Sequence, residues 1–188
     1  TLGQEFRTAN GRIVYEGHGI QPDVKIEPEM LSTITAHLYA QNMIFKYANK
    51  FYREHKTIAP PEEFEITDEI YNDFVNFVEE QDFSYTSESE KDFEELIKTA
   101  KLEGYYDNIK EQLDVLEKEL RSHKDNDLIN NKEEISEILK MEIVGRYYFQ
   151  KGKIISSLKD DPELNRAVEI LLDSNGENEY ENILKGVN

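Results

Sequence analysis

Four histidines, His18, His37, His55 and His123, are the first side chains to test for chemistry. Zinc needs three or four convergent N, S or O ligands, and none of the four forms an HxxxH or HxxE pair with a helical neighbour. The chain has no cysteine, which excludes disulfides and thiolate chemistry. Two acidic loops offer oxygen ligands instead. Asp125-Asn126-Asp127 begins as a calcium loop does, but Asn130 stands where the sharp turn needs Gly and Ser136 where a bidentate Glu is required. In Asp173-Ser174-Asn175-Gly176 the glycine comes two positions early, and Leu184 holds the Glu position. Both read as helix-terminating turns, and no metal or other cofactor is expected.

Acid–base and nucleophilic chemistry fare no better. Carboxylate pairs such as Glu94-Glu95, Glu133-Glu134 and Asp160-Asp161 arise by abundance in a chain with 40 acidic residues. Ser156, Ser157 and Lys159 are close in sequence, but a Ser–Lys mechanism needs a desolvated lysine and an oxyanion hole, which a polar helix end does not supply. Gly17-His18-Gly19 is followed by Gln21-Pro22 and not by the helix start that a phosphate cradle requires. No catalytic residue is assigned. The concentrated aromatic surface lies at Tyr147-Tyr148-Phe149, with Tyr105-Tyr106 a second, smaller one. Three successive aromatics cover most of a helix circumference, so at least one is core and another is a candidate protein contact.

The elements that must position these residues change character near residue 27. Phe6-Arg7-Thr8, a turn at Ala9-Asn10-Gly11, and Arg12-Ile13-Val14-Tyr15 read as a β-hairpin, with Asn-Gly supplying the positive φ angles of a tight turn. Val24-Lys25-Ile26 has the alternation of one more short strand. Pro28 suits a first helical residue. Leu31, Ile34, Leu38, Phe45, Ala48 and Tyr52 then recur at helical spacing, giving one helix or two collinear ones over 29–55. Ala59-Pro60-Pro61 stops them.

Thr67 caps a further helix that turns Ile70, Tyr71, Phe74, Phe77 and Val78 to one face. Ser87 and Glu90 have capping-box spacing for a helix over 88–103, which Gly104 ends. Residues 105–122 carry the seam Ile109, Leu113, Leu116 and Leu120. A long helix over about 132–159 carries Ile135, Leu139, Ile143, Tyr147, Ile154 and Leu158. Asp161-Pro162 restarts a helix with Leu164, Val168 and Leu171 inward, and Tyr180, Ile183 and Leu184 make a last docking turn. The fold class is therefore mainly α: a multi-helix, bundle-like domain at 28–188, preceded by a short β-hairpin and strand remnant at 1–27.

Charge follows the same division. Residues 1–56 hold 7 basic and 6 acidic side chains, and residues 57–188 hold 15 and 34, so the net −18 resides in the helical part. Such a surface repels phosphate backbones and anionic lipid, which disfavours nucleic acid and membrane surfaces as partners. No apolar run is long enough to span a bilayer, and no signal segment opens the sequence. Thr1 is not an initiator Met, so any targeting or anchoring segment is expected upstream.

Thr8-x-x-Gly11-Arg12 followed by Gly19-Ile20-x-Pro22-Asp23 resembles the T-x-x-G-R … G-I-x-P-D segment of the C-terminal processing (tail-specific) serine proteases. Tyr15-Glu16-Gly17-His18 is similar to the Y-x-G-G lead-in of part of that family, with His18 in place of a Gly. The resemblance implies a parent endopeptidase with a Ser nucleophile and a Lys general base, paired with a PDZ domain and exported to the periplasmic side of a bacterial cell envelope. It places both catalytic residues and the PDZ domain before Thr1, and no position here matches the catalytic motifs. The motif residues Thr8, Gly11, Arg12, Gly19, Ile20, Pro22 and Asp23 are thus expected to be structural: turn, close approach and local capping. The partners implied are the upstream core and PDZ domain, protein substrates and a second copy of the chain. Substrate access, positioning or assembly would be the helical region's task. A free-standing acidic helical adaptor is the rival reading.

Overall fold

The architecture is that of a computed structural model, which describes residues 3–9, 11–17, 22–28, 30–173, 176 and 178–185. Two compact units emerge, residues 30–156 and residues 1–29 with 157–188. The last helices thus group with the N-terminal segment.

In the second of these units, β1 (Glu5–Arg7) pairs antiparallel with β2 (Ile13–Tyr15), Phe6 opposite Val14. Thr8 N–H donates to the Arg12 carbonyl and Gly11 N–H to the Thr8 carbonyl, both at 2.9 Å. Gly11 has φ +82°. The described ends of the loop thus agree with the turn at Ala9-Asn10-Gly11 expected from the sequence, with Gly11 as its left-handed residue. Asn10 lies outside the described residues. The strand expected at Val24–Ile26 does not form: residues 22–28 carry no ladder pairing, and β1 and β2 are the only strands among the described residues. Alternation alone cannot make a strand without a partner edge to take its N–H and C=O groups. Two helices complete this unit, α8 (Pro162–Leu171) and α9 (Glu179–Lys185). Asp161 caps α8 by accepting from Leu164 N–H at 2.8 Å, and Pro162 sits in its first turn.

The unit over 30–156 holds the main core. The segment expected as a helix from Pro28 begins only at α1 (Thr33–Ala40), because Ser32 provides the cap and its own N–H donates to Glu134 at 2.8 Å. A break at Asn42, φ +60°, separates α1 from α2 (Met43–Glu54). That break resets the helical phase. α2 buries Ile44, Tyr47, Ala48 and Phe51, and leaves Phe45 and Tyr52, both expected inward, about half exposed. Thr67 caps α3 (Asp68–Glu80), and the Ser87/Glu90 capping box opens α4 (Glu88–Glu103), as expected. Gly104, φ +80°, ends α4 in the left-handed conformation. α5 (Tyr106–Asp125) packs on α4, and the short α6 (Asp127–Asn130) leads into α7 (Lys132–Ser157).

Tyr47, Phe74, Leu38, Ile135, Leu139 and Ile143 make the centre of the core, all completely or almost completely buried. Buried hydroxyls are satisfied: Tyr47 donates to the Ile70 carbonyl and to Asp73, each at 3.0 Å, and Tyr71 donates to the Leu128 carbonyl. α7 is not one straight helix. Phe149 has φ +57° and ψ −156°, so the helix breaks there, and Ile154 and Leu158 lose the inward phase that the sequence pattern gave them. In α8 the buried residue is Ile170, whereas Leu164, Val168 and Leu171, expected inward, are exposed.

Candidate functional site

Of the motif residues, the structure brings four together. Arg12 and Asp23 form an ion pair, and Arg12 N–H donates to Thr8 Oγ1 at 3.2 Å. Gly11 supplies the left-handed residue that lets the loop close between them. The two halves of the motif are thus joined by charge across the chain between them. Gly19 and Ile20 lie outside the described residues.

Pro22 and Asp23 also begin one wall of a cleft of about 830 Å³. Residues 22–27 form that wall, and Arg166, Ala167, Ile170 and Leu171 of α8 with Tyr180 and Ile183 of α9 form the other. Arg166 is held by both oxygens of Glu179, at 2.5 and 2.7 Å, which ties α8 to α9. Among the described residues the lining contains no Ser, Thr, Cys or His. It offers apolar surface together with both signs of charge.

The aromatic cluster divides by depth. Tyr147 donates to the His55 carbonyl at 2.7 Å and meets Tyr52 edge to face at 4.8 Å. Tyr148 packs against the core and donates to the Ile58 carbonyl at 3.3 Å. Phe149, at the break, is 77% exposed. Beside them Glu142 accepts from Arg146 at 2.8 Å and from Lys153 at 2.7 Å. Burial pushes the Glu142 carboxyl upward, but these cationic donors outweigh it and hold the group below the usual glutamate range. Sequence reading missed Glu142, Arg146 and Lys153 altogether. The available signal was Gly145 and Gly152, two glycines inside a long helical pattern.

Ser156, His55 and His37 are engaged in structure, and His18 lies outside the described residues. Ser156 is buried and donates to the Lys153 carbonyl at 3.0 Å, within its own helix. His55 stacks on Phe51 at 4.0 Å, and His37 lies 5.2 Å from the Tyr85 ring. Among the described residues no three His, Asp or Glu side chains are grouped to hold a metal, and no helix is long and apolar enough to cross a membrane.

No curated protein and no solved structure matches the chain. A family model does match, over residues 34–171, and its description is "probable PDZ-protease, C-terminal helical domain". The matched span runs from α1 to the end of α8 and takes in the whole core of the larger unit. The chain, a mainly α protein behind a short β-hairpin, belongs to this family of protease-associated helical domains.

Proposed function

We propose that the chain is the non-catalytic C-terminal helical region of a tail-specific serine endopeptidase of the Ser–Lys dyad type, and that it serves substrate access, positioning or subunit assembly. The observation that carries this reading is the match to the helical domain of a probable PDZ-protease, directly behind the T-x-x-G-R and P-D residues. The Arg12–Asp23 pair supports a structural role for that motif, as the closing piece of a protease core at 1–27 ahead of an all-α domain at 28–188. The largely apolar lining of the cleft, rimmed by charges, supports a binding role. On this reading the partners are the upstream core and PDZ domain, protein substrates and a second copy, on the exported, periplasmic side of a bacterial cell envelope.

The test compares the isolated chain with the whole parent protein on an unfolded protein substrate. The chain alone should release no peptides. The parent should cleave, and should stop when the serine or lysine of its core is replaced. Hydrolysis by the purified chain that survives a contaminant control, or a parent without a Ser- and Lys-bearing core, would overturn the reading.

A further inference from the structure

The shift of phase at Asn42 leaves a surface that the core does not use. On α2, Phe45, Asn49, Tyr52, Arg53 and Lys46 fall within an arc of about 120° at 100° per residue. Phe45 is 51% and Tyr52 48% exposed. α7 extends the same surface: Arg146 lies over the Phe45 ring at 4.6 Å and donates from Nε to Asn49 at 2.8 Å, and Tyr147 meets Tyr52. Arg146 Nη2 is buried without an acceptor, so the floor of this surface is short of one hydrogen-bond partner. Phe149 stands at the adjoining break.

The charge here is opposite to that of the molecule. Residues 42–56 and 145–153 together carry seven basic side chains and one carboxylate, Glu54, in a chain of net −18. Lys50, Arg146 and Lys153 are paired with carboxylates. Lys46, Arg53, Lys56 and Lys151 have no carboxylate partner among the described residues. An aromatic face with free cations around it attracts a ligand that is apolar and anionic together.

We infer that this face docks a short acidic protein segment that also carries apolar side chains. Magnitude selects this occupant over two others. A second copy meeting this face with its own would set one basic patch against another, whereas a segment with four or five carboxylates brings opposite charge within the Debye length of about 8 Å. A nucleic acid would extend its phosphates beyond the patch over strongly acidic helices. The inference goes beyond the protease reading and stands without it, since the test uses this chain alone.

The probe is a fluorescein-labelled ten-residue peptide with four Glu and three Phe or Leu, titrated by fluorescence anisotropy. A Ser-for-apolar version, a Lys-for-Glu version and a single-stranded DNA oligonucleotide run alongside, with light scattering for association state. The acidic, apolar peptide should bind in the micromolar range. Its affinity should fall by about five-fold or more in the Lys46→Glu/Arg53→Glu double variant and again on raising salt from 50 to 500 mM. These two exposed positions should leave the circular dichroism spectrum and melt unchanged, and Phe45→Ser adds the apolar arm. Absence of binding, binding that the charge variants do not weaken, equal binding of the Lys-for-Glu peptide, preference for the oligonucleotide, or a dimer that the charge variants dissolve would each overturn the proposal.

Discussion

Arg12, the last residue of the T-x-x-G-R pattern, is ion-paired to Asp23, the last residue of the P-D pattern. One sits at the end of the hairpin loop, the other at the start of the extended wall of the cleft. The pair explains why the two short patterns occur together: each supplies half of one tie. Both side chains are partly exposed, so the pair is worth about 0.2–1 kcal/mol and fixes geometry more than it adds stability. Asp23→Asn should therefore change the thermal midpoint little. It should, however, speed amide exchange at Gly11 and Arg12, whose loop it ties. Unchanged exchange there would mean that the hairpin holds its loop without Asp23.

Ile143 is completely buried at the centre of the α7 seam, in contact with the core built by α1, α2 and α3. Ile143→Ala removes buried methyl groups and leaves a cavity, and should cost about 2–4 kcal/mol. His123→Ala, at the polar end of α5, should be near neutral. Two chemical denaturation curves decide it, and equal midpoints would put the wrong face of α7 inward.

Three helix starts were legible in the sequence because they rest on local chemistry, whereas Ser32, the cap of α1, was passed over for Pro28. Thr67, the Ser87/Glu90 box and Asp161 each cap the next helix in the chain, and each was readable from two or three residues. Which face of a helix is buried was legible only as far as the helix stayed continuous. Breaks at Asn42 and Phe149 carry no proline, and each shifts the phase of the downstream turns, so Phe45, Tyr52, Ile154 and Leu158 were placed inward and lie outside. Long-range charge was not legible at all. Arg12–Asp23, Glu142–Lys153 and Arg166–Glu179 each join residues more than ten apart, where periodicity gives no guide.

Glu142 links stability to pH. Its folded carboxyl is held below the ordinary value of about 4.3, so the unfolded chain binds the proton more readily in that range. The contribution is therefore present above the ordinary glutamate pKa and is lost as pH falls through the depressed folded one. Glu142→Gln should melt lower than wild type at pH 7, and the gap should narrow between about pH 5 and pH 3. Asp73 and Glu90 are held low as well, so the variant keeps part of the acid slope. Parallel curves across that range would show that the pairs with Arg146 and Lys153 contribute nothing measurable.

The break in α7 gives two substitutions opposite signs from those a continuous helix would give. In a straight helix Glu142 and Lys153 would stand about 16 Å apart along the axis, too far for their 2.7 Å contact. The bend also brings Gly152 against Tyr148 and Val144: a Cβ there would lie 2.3 Å from Tyr148 Cβ and 3.1 Å from Val144 Cγ1. Gly152→Ala should thus destabilise by about 1–3 kcal/mol through overpacking, although alanine is the better helix former. Phe149 occupies a backbone region that only glycine enters without strain of about 1–3 kcal/mol, and its ring is largely exposed. Phe149→Gly should therefore be neutral or stabilising by up to about 1 kcal/mol, the relieved strain offsetting the entropy that glycine adds to the unfolded chain. A continuous helix would reverse both results: alanine at 152 would raise the melting temperature, and glycine at 149 would lower it by the usual mid-helix penalty of about 1 kcal/mol. Thermal melts of the two single variants separate the two geometries, because no general change in helix propensity produces a loss at 152 together with a gain at 149.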